Sequence, residues 1–319
     1  MYVDDGLIIA TNKKLIDDTL KQIQDVFEIT IGNSEYFLGM HVKRNRKENS
    51  IYINQRLYIE RMLKRFNMTE AAPLTIPADP HVKLQTTDLE NSIRHEVPYR
   101  EAVGALLFLS LVSRPDIAYA VGIVSRYLDK YNDQHWNGVK RIMRYLSYTK
   151  VLGIKYSKDN NYNLIGFSDS DYAADINTRR STNGYVFKFS NGPITWMSKR
   201  QSCVSLSTAE AEYIAASLAV KESIWIQKLF CDLGYTRTPI PIYIDNQSAI
   251  KLVRNPEFHC RTKHIDVKFH FIRERFNNRE IDVIYVPSHN QLADLFTKAL
   301  PKERFKYLSA EIGLCNVNV

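Results

Sequence analysis

Leu164-Ile165-Gly166-Phe167-Ser168-Asp169 is a short apolar, β-prone run that stops on an acid. Such a run, bounded by polar residues, reads as a strand over 164–168. A second run of the same kind, Ile240-Pro241-Ile242-Tyr243-Ile244, stops on Asp245. Two acids at the ends of two strands can face one site. Working outward, further strands are expected at 185–189, 194–197 and 281–286, and a long helix at 208–233. Shorter helices are expected from Gln247, at 267–276, and from Gln291 onward. Three strands, helix, strand, helix, strand, helix predicts an α/β domain, a sheet with flanking helices.

The pattern changes at about Lys150. Upstream, residues 2–10 read as a hairpin turning at Asp5-Gly6, and Ile16, Leu20, Ile23 and Phe27 recur at helical spacing behind Thr11 and Asn12 as caps. A second hairpin pairs 36–42 with 51–54, and a helix carries Leu57, Ile59, Met62, Leu63 and Phe66. Residues 71–97, rich in Pro, Thr, Asp and His, read as a linker or extended crossing segment. Two helical stretches follow, at 99–128, interrupted by Arg114-Pro115, and at 134–148. The expected organisation is a small α+β unit over 1–75, a helical region over 76–150, the α/β domain over 151–302, and a tail over 303–319.

The chain has 319 residues, enough for two cores, with 45% hydrophobic and 24% charged residues. Lys plus Arg exceed Asp plus Glu by 43 to 35, giving a net charge of +8. That balance suits a polyanionic partner, nucleic acid first. Four scattered cysteines, with no CxxC, argue against a zinc site or disulfide framework and for a reducing compartment; His259 and Cys260 beside His264 lack metal-ligand spacing. No apolar run predicts a membrane span, and no secretion signal is expected, so an intracellular protein is anticipated.

Hydrolysis of a phosphodiester with two metals about 4 Å apart needs several carboxylates drawn from distant segments. Asp169 and Asp245 are two candidates. The 208–233 helix offers Glu210 and Glu212, which stand about 200° apart and cannot share a face; the residues alone leave that choice open. Asp294 supplies a fourth acid, and His289, five residues earlier, is a candidate for proton transfer or product release. Asp171 and Asp175 read as turn residues.

Taken together, Ser168-Asp169-Ser170-Asp171-Tyr172-Ala173, Arg179-Arg180-Ser181-Thr182-Asn183-Gly184-Tyr185, Ala209-Glu210-Ala211-Glu212-Tyr213, Asp245-Asn246-Gln247-Ser248-Ala249, Arg261-Thr262-Lys263-His264-Ile265-Asp266 and Gln291-Leu292-Ala293-Asp294 resemble, in order, the ribonuclease H signature of copia-type retrotransposon Pol polyproteins. The resemblance implies a ribonuclease H-like mixed sheet. It also implies Asp169, Glu212, Asp245 and Asp294 as ligands of two Mg²⁺ ions, with Mn²⁺ as a substitute, and endonucleolytic cleavage of the RNA strand of RNA/DNA hybrids. Arg179, Arg180, Lys199, Arg200, Arg261, Lys263 and His264 are the candidates for holding phosphates, since hybrids are gripped by backbone charge and the 2′-hydroxyl. The competing reading is a non-catalytic nucleic-acid-binding remnant. An integrase is disfavoured by the spacing of the acids.

Upstream, Tyr2-Val3-Asp4-Asp5 resembles the reverse transcriptase palm motif, in which paired aspartates hold Mg²⁺. Tyr36-Phe37-Leu38-Gly39-Met40, Gln55-Arg56-Leu57-Tyr58, Tyr99-Arg100-Glu101-Ala102-Val103-Gly104, Ser113-Arg114-Pro115-Asp116-Ile117-Ala118-Tyr119 and Lys140-Arg141-Ile142-Met143-Arg144-Tyr145-Leu146 resemble the following palm and thumb or connection segments. A palm needs a further upstream aspartate and fingers, so no polymerase activity is expected from these residues alone, and loose packing is expected over 1–75. The family implies the remaining reverse transcriptase, integrase and protease as partners, and residence in cytoplasmic virus-like particles or the nucleus.

Overall fold

The computed structural model describes residues 5–32, 35–86, 97–158, 164–236, 238–254 and 266–316, with the side chains of 266–269 outside the description. Among the described residues, two five-stranded sheets organise the chain. The first has the order β1-β2-β3-β4-β10, from β1 (Tyr36–Phe37), β2 (Met40–Asn45), β3 (Ser50–Asn54), β4 (Leu152–Ser157) and β10 (Leu314–Asn316). The second has the order β7-β6-β5-β8-β9, from β5 (Ile165–Ser170), β6 (Thr182–Phe189), β7 (Gly192–Arg200), β8 (Ile240–Ile244) and β9 (Ile281–Tyr285). β5, β6 and β7 run antiparallel, while β5, β8 and β9 are parallel. This is the mixed sheet expected from the sequence.

Helices fill the space around the sheets. α1 (Lys13–Gln24) and α2 (Arg56–Arg65) belong to the first part of the chain, and α3 (Tyr99–Val112), α4 (Ala118–Val124) and α5 (Asp133–Tyr148) to the middle. α6 (Thr208–Asp232), α7 (Gln247–Arg254), α8 (Asp266–Asn277) and α9 (Asp294–Thr297) flank the second sheet, and α10 (Lys302–Glu311) closes the chain. Pro115 stops α3 from running into α4, because it has no amide hydrogen to donate. The break is stitched by Arg114, which donates to Asp116 Oδ1 at 3.0 Å and Oδ2 at 2.7 Å and to the Thr149 carbonyl at 3.1 Å.

The second sheet is covered on both faces. Tyr185, Phe187, Ile242 and Ile244 face α6, α7 and α8 in one core. Phe167 and Val186 point the other way, into a core shared with Ile59, Leu106, Ile142, Phe296 and Leu308. The alternation of side chains along a strand makes this two-sided burial automatic.

Three expectations change. The 2–10 hairpin is not formed over its described residues: 6–10 hold no strand, and Leu7 and Ile9 are 47% and 83% exposed. A lone two-stranded ribbon with nothing to pack against is marginal in water. α1 is likewise unburied, although α2 packs through Ile59, Met62 and Leu63. The helix expected from Gln291 begins at Asp294, because the Gln291 side chain instead donates to the Ser168 carbonyl at 2.9 Å and accepts from Ala293 N at 3.2 Å. The 303–319 stretch contains α10 and β10, and β10 pairs with β4, a strand with no counterpart in the sequence reading.

Candidate active site

The central strand β5 carries Asp169 at its end, buried to 2% exposure, beside Gly184 of β6. A Cβ at Gly184 would come within 2.7 Å of Thr297 Cγ2 and 2.8 Å of Phe296 Cβ. Only a glycine lets α9 lie this close, and Thr297 uses the proximity to donate its hydroxyl to Asp169 Oδ2. Asp245, just beyond β8, is half-buried and accepts a 2.8 Å bond from Ser288 Oγ.

α6 decides between its two glutamates. Ser207 caps the helix by accepting from Glu210 N at 3.2 Å, and the Glu210 carboxylate reaches back to Leu206 N at 2.9 Å. Glu210 therefore serves the helix start. Glu212, on the other side of the turn, meets Asp169 and Asp245, with one carboxylate oxygen from each of the three lying within 4.8 Å of the others.

This is an electrostatically unfavourable arrangement without a cation. Burial, helped by Asp294 and Asp245 and opposed by Lys298 and the Thr297 hydroxyl, lifts the Asp169 carboxyl to about 7. Burial, then Asp169 and Asp245, push Glu212 well above the usual carboxylate range. Glu212 Oε2 is buried and has no hydrogen-bond partner. A divalent cation fits these facts: hard oxygen donors, concentrated negative charge, and an orphaned acceptor.

Asp294 stands apart from the triad. Its carboxylate pairs with Lys298 Nζ at 2.7 Å, one helical turn on, and with Arg304 Nη2 at 3.3 Å; Lys298 Nζ also lies 3.9 Å from Asp169 Oδ2. Burial opposes the Lys298 charge, yet Asp169 and Asp294 hold the ammonium above the usual lysine range. His289 is exposed on a 3₁₀ turn, Ser288–Asn290, and its carbonyl accepts from Arg304.

The basic candidates divide. Arg180, Lys199 and Arg200 line a cleft of about 340 Å³ with Ser125, Ser198 and Arg126. Arg200 and Arg126 both reach Asp175 Oδ2, at 2.8 and 2.9 Å. Against the penalty of burial, the Arg200 hydrogen bond, the Thr178 amide and Arg126 hold the Asp175 carboxyl below its usual range. Arg179 is exposed with φ 54. Asp171 is lifted by burial to about 6 despite accepting from Thr182 N at 2.5 Å. Arg261, Lys263, His264 and Asp4 lie outside the described residues, and Asp5 is exposed.

Sequence reasoning missed Lys298, Ser288, Thr297, Arg126 and Arg304. Lys298 had a signal, the i,i+4 spacing from Asp294. The others depend on tertiary approach and had none.

A family model described as reverse transcriptase (RNA-dependent DNA polymerase) matches residues 1–80. The chain is 40% identical over 320 residues to the retrovirus-related Pol polyprotein from transposon TNT 1-94 of Nicotiana tabacum, covering 98% of this chain and 24% of that protein. It thus spans about a quarter of that relative's length. The putative transposon Ty5-1 protein of Saccharomyces cerevisiae is 30% identical, with 70% of this chain and 72% of that protein covered. Among solved structures, the foamy viral protease-reverse transcriptase in complex with RNA/DNA hybrid superposes with a TM-score of 0.50 at 14% identity, covering 93% of this chain and 35% of that one. No described helix is long and apolar enough to cross a membrane. By sequence, the chain belongs to the Pol polyprotein family of copia-type retrotransposons, with reverse transcriptase sequence leading into a sheet of ribonuclease H-like fold.

Proposed function

We propose that this chain carries a ribonuclease H: a Mg²⁺-dependent endonuclease that cuts the RNA strand of RNA/DNA hybrids. The observation that carries the reading is the buried Asp169, Glu212 and Asp245 cluster, with its orphaned Glu212 Oε2, at the strand ends of the mixed sheet. Residues 151–302 form the nuclease unit in this proposal, after a reverse transcriptase portion over 1–75 and a thumb or connection region over 76–150, with 303–319 beyond it. Substrate and partners follow from the same reading: the hybrid, and the remaining reverse transcriptase, integrase and protease of a Pol polyprotein, within virus-like particles.

The chain's own residues each take a task. Asp169, Glu212 and Asp245 would hold Mg²⁺, or Mn²⁺ in its place, and Asp294 joins them from its clamp between Lys298 and Arg304. Divalent cations at such a carboxylate set activate water and stabilise charge on a scissile phosphate. Thr297 and Ser288 fix the rotamers of Asp169 and Asp245. His289, exposed on its turn, is placed to pass a proton to the leaving 3′-oxygen, and the products carry 5′-phosphate and 3′-hydroxyl ends. The cleft lined by Arg180, Lys199 and Arg200 offers positive charge to the backbone of the hybrid.

Cleavage of a labelled RNA/DNA hybrid with Mg²⁺, by the parent and by folded Asp169→Asn and Asp245→Asn variants, tests the reading. Loss of cleavage in both variants is expected. A folded parent chain that binds the hybrid without cutting it would establish the non-catalytic binding remnant in its place.

A further inference from the structure

Resting on the nuclease reading, we propose that Arg304 is a positioning residue of the site, through which α10 holds Asp294 and Asp245 in place. The Arg304 side chain is half-buried and has three acceptors. Nη2 donates to the Ser288 carbonyl at 2.7 Å and to Asp294 Oδ2 at 3.3 Å, and Nη1 donates to the His289 carbonyl. Two consecutive carbonyls of one turn, and a carboxylate beside them, match the fixed fork of an arginine. The turn so gripped presents Ser288 Oγ to Asp245 Oδ2 at 2.8 Å. One side chain therefore orients one acid directly, a second through a single hydroxyl, and the turn that carries His289.

The placement of Arg304 is set from elsewhere. Its neighbour Phe305 is buried and meets the Tyr145 ring of α5 edge-on, centroids 5.6 Å apart. Leu308 and Ile312 lie in the core shared with α2, α3 and α5. Beyond them, β10 pairs with β4, which pairs with β3. The register of α10 is thus dictated by the helical half and first sheet, while its Arg304 points into the carboxylate site of the second. In this arrangement the residues beyond 302 complete the nuclease.

The test has a sign that separates positioning from plain electrostatics. Removing a cation beside a metal site favours divalent-ion binding by charge alone; removing a group that orients the ligands weakens it, by about tenfold or more for such supports. Mn²⁺ binding, read from the electron paramagnetic resonance signal of free Mn²⁺, is compared in the full chain, Arg304→Met and Lys306→Met. Lys306 is exposed on the same helix, so its variant loses the same charge without touching the network. Weaker binding in Arg304→Met alone is expected, with kcat for hybrid cleavage reduced and KM kept.

Binding in Arg304→Met that equals or exceeds the parent would overturn the proposal, and a raised KM with kcat kept would reassign Arg304 to gripping substrate. Should Arg304→Met fail to fold, Arg304→Gln, whose shorter amide cannot span the three acceptors, is read by the same outcomes. A parent that binds Mn²⁺ but cuts nothing would sink the nuclease while leaving the positioning comparison decisive; a parent that binds no Mn²⁺ would sink both.

Discussion

Asp169 shows how much of the site depends on single side chains. Its carboxyl and that of Asp171, at about 7 and about 6, lie above the unfolded value of about 3.9. Between those values the folded chain holds more protons than the unfolded chain, so stability is lost as pH rises through the window. The metal-free chain should therefore melt at a lower temperature at pH 8 than at pH 5, and Mg²⁺ should restore more at pH 8. Asp169→Asn isolates the effect, because an amide has no charge to bury. Calorimetric melts at the two pH values should show a smaller pH-dependent loss in the variant, together with loss of Mg²⁺ stabilisation; identical pH responses would refute the burial argument. The glutamates give a second residue-scale outcome. Glu212→Gln should abolish cleavage of the hybrid, while Glu210→Ala should cost about 1 kcal/mol of stability through the lost capping bond and leave cleavage in place. Sequence spacing showed that the two glutamates point apart. It could not show which one faces Asp169, because that depends on how α6 lies across β5.

At the scale of elements, the strands and helices with strong periodicity were readable: β5, β8 and α6 stand within a residue or two of their expected positions. β4, α10 and β10 were not. β4 is Leu-Gly-Ile-Lys-Tyr-Ser, with too little apolar character to announce a strand, and it is held by pairing with β3 on one side and β10 on the other. Residues 6–10 show the reverse, a stretch beside a good local turn signal that holds no strand. Two contacts between elements can be tested. Arg114 and Asp116 are both fully buried at the α3 to α4 break, and Tyr145 Oη donates to Asp116 Oδ2 at 2.5 Å. Asp116→Asn, which leaves a buried guanidinium without its counter-charge, should cost about 3–5 kcal/mol in urea unfolding. Gly184→Ala would press β6 against α9 and should cost about 1–3 kcal/mol. Because α9 carries Asp294 and Thr297, that variant should also weaken Mn²⁺ binding; a loss of stability with unchanged binding would show that α9 tolerates displacement.

The whole molecule is tied together by the face of the second sheet that turns away from α6. Phe167, Val186 and Phe296 join Ile59, Leu106, Ile142 and Leu308 in one core, and the Trp196 indole of β7 donates to the Ser110 carbonyl of α3 at 2.7 Å. A boundary drawn at Lys150 from the change in sequence pattern follows the chain, whereas the packing follows the sheet. Cutting there would expose Phe167, Val186 and Phe296 to water and strip Trp196 of its acceptor. At about 25 cal/mol per Å² of apolar surface, uncovering a sheet face removes several kcal/mol, comparable to the net stability of a domain. The full chain should therefore unfold in one transition, with circular dichroism and tryptophan fluorescence superimposing. The excised piece 151–302 should bind a hydrophobic dye such as ANS and lose its sharp melt, even though it contains Asp169, Glu212, Asp245 and Asp294. If that piece instead melts as cooperatively as the parent, then the α6 side alone carries the fold, and the shared core contributes to the arrangement of the halves without being needed for the stability of the second sheet.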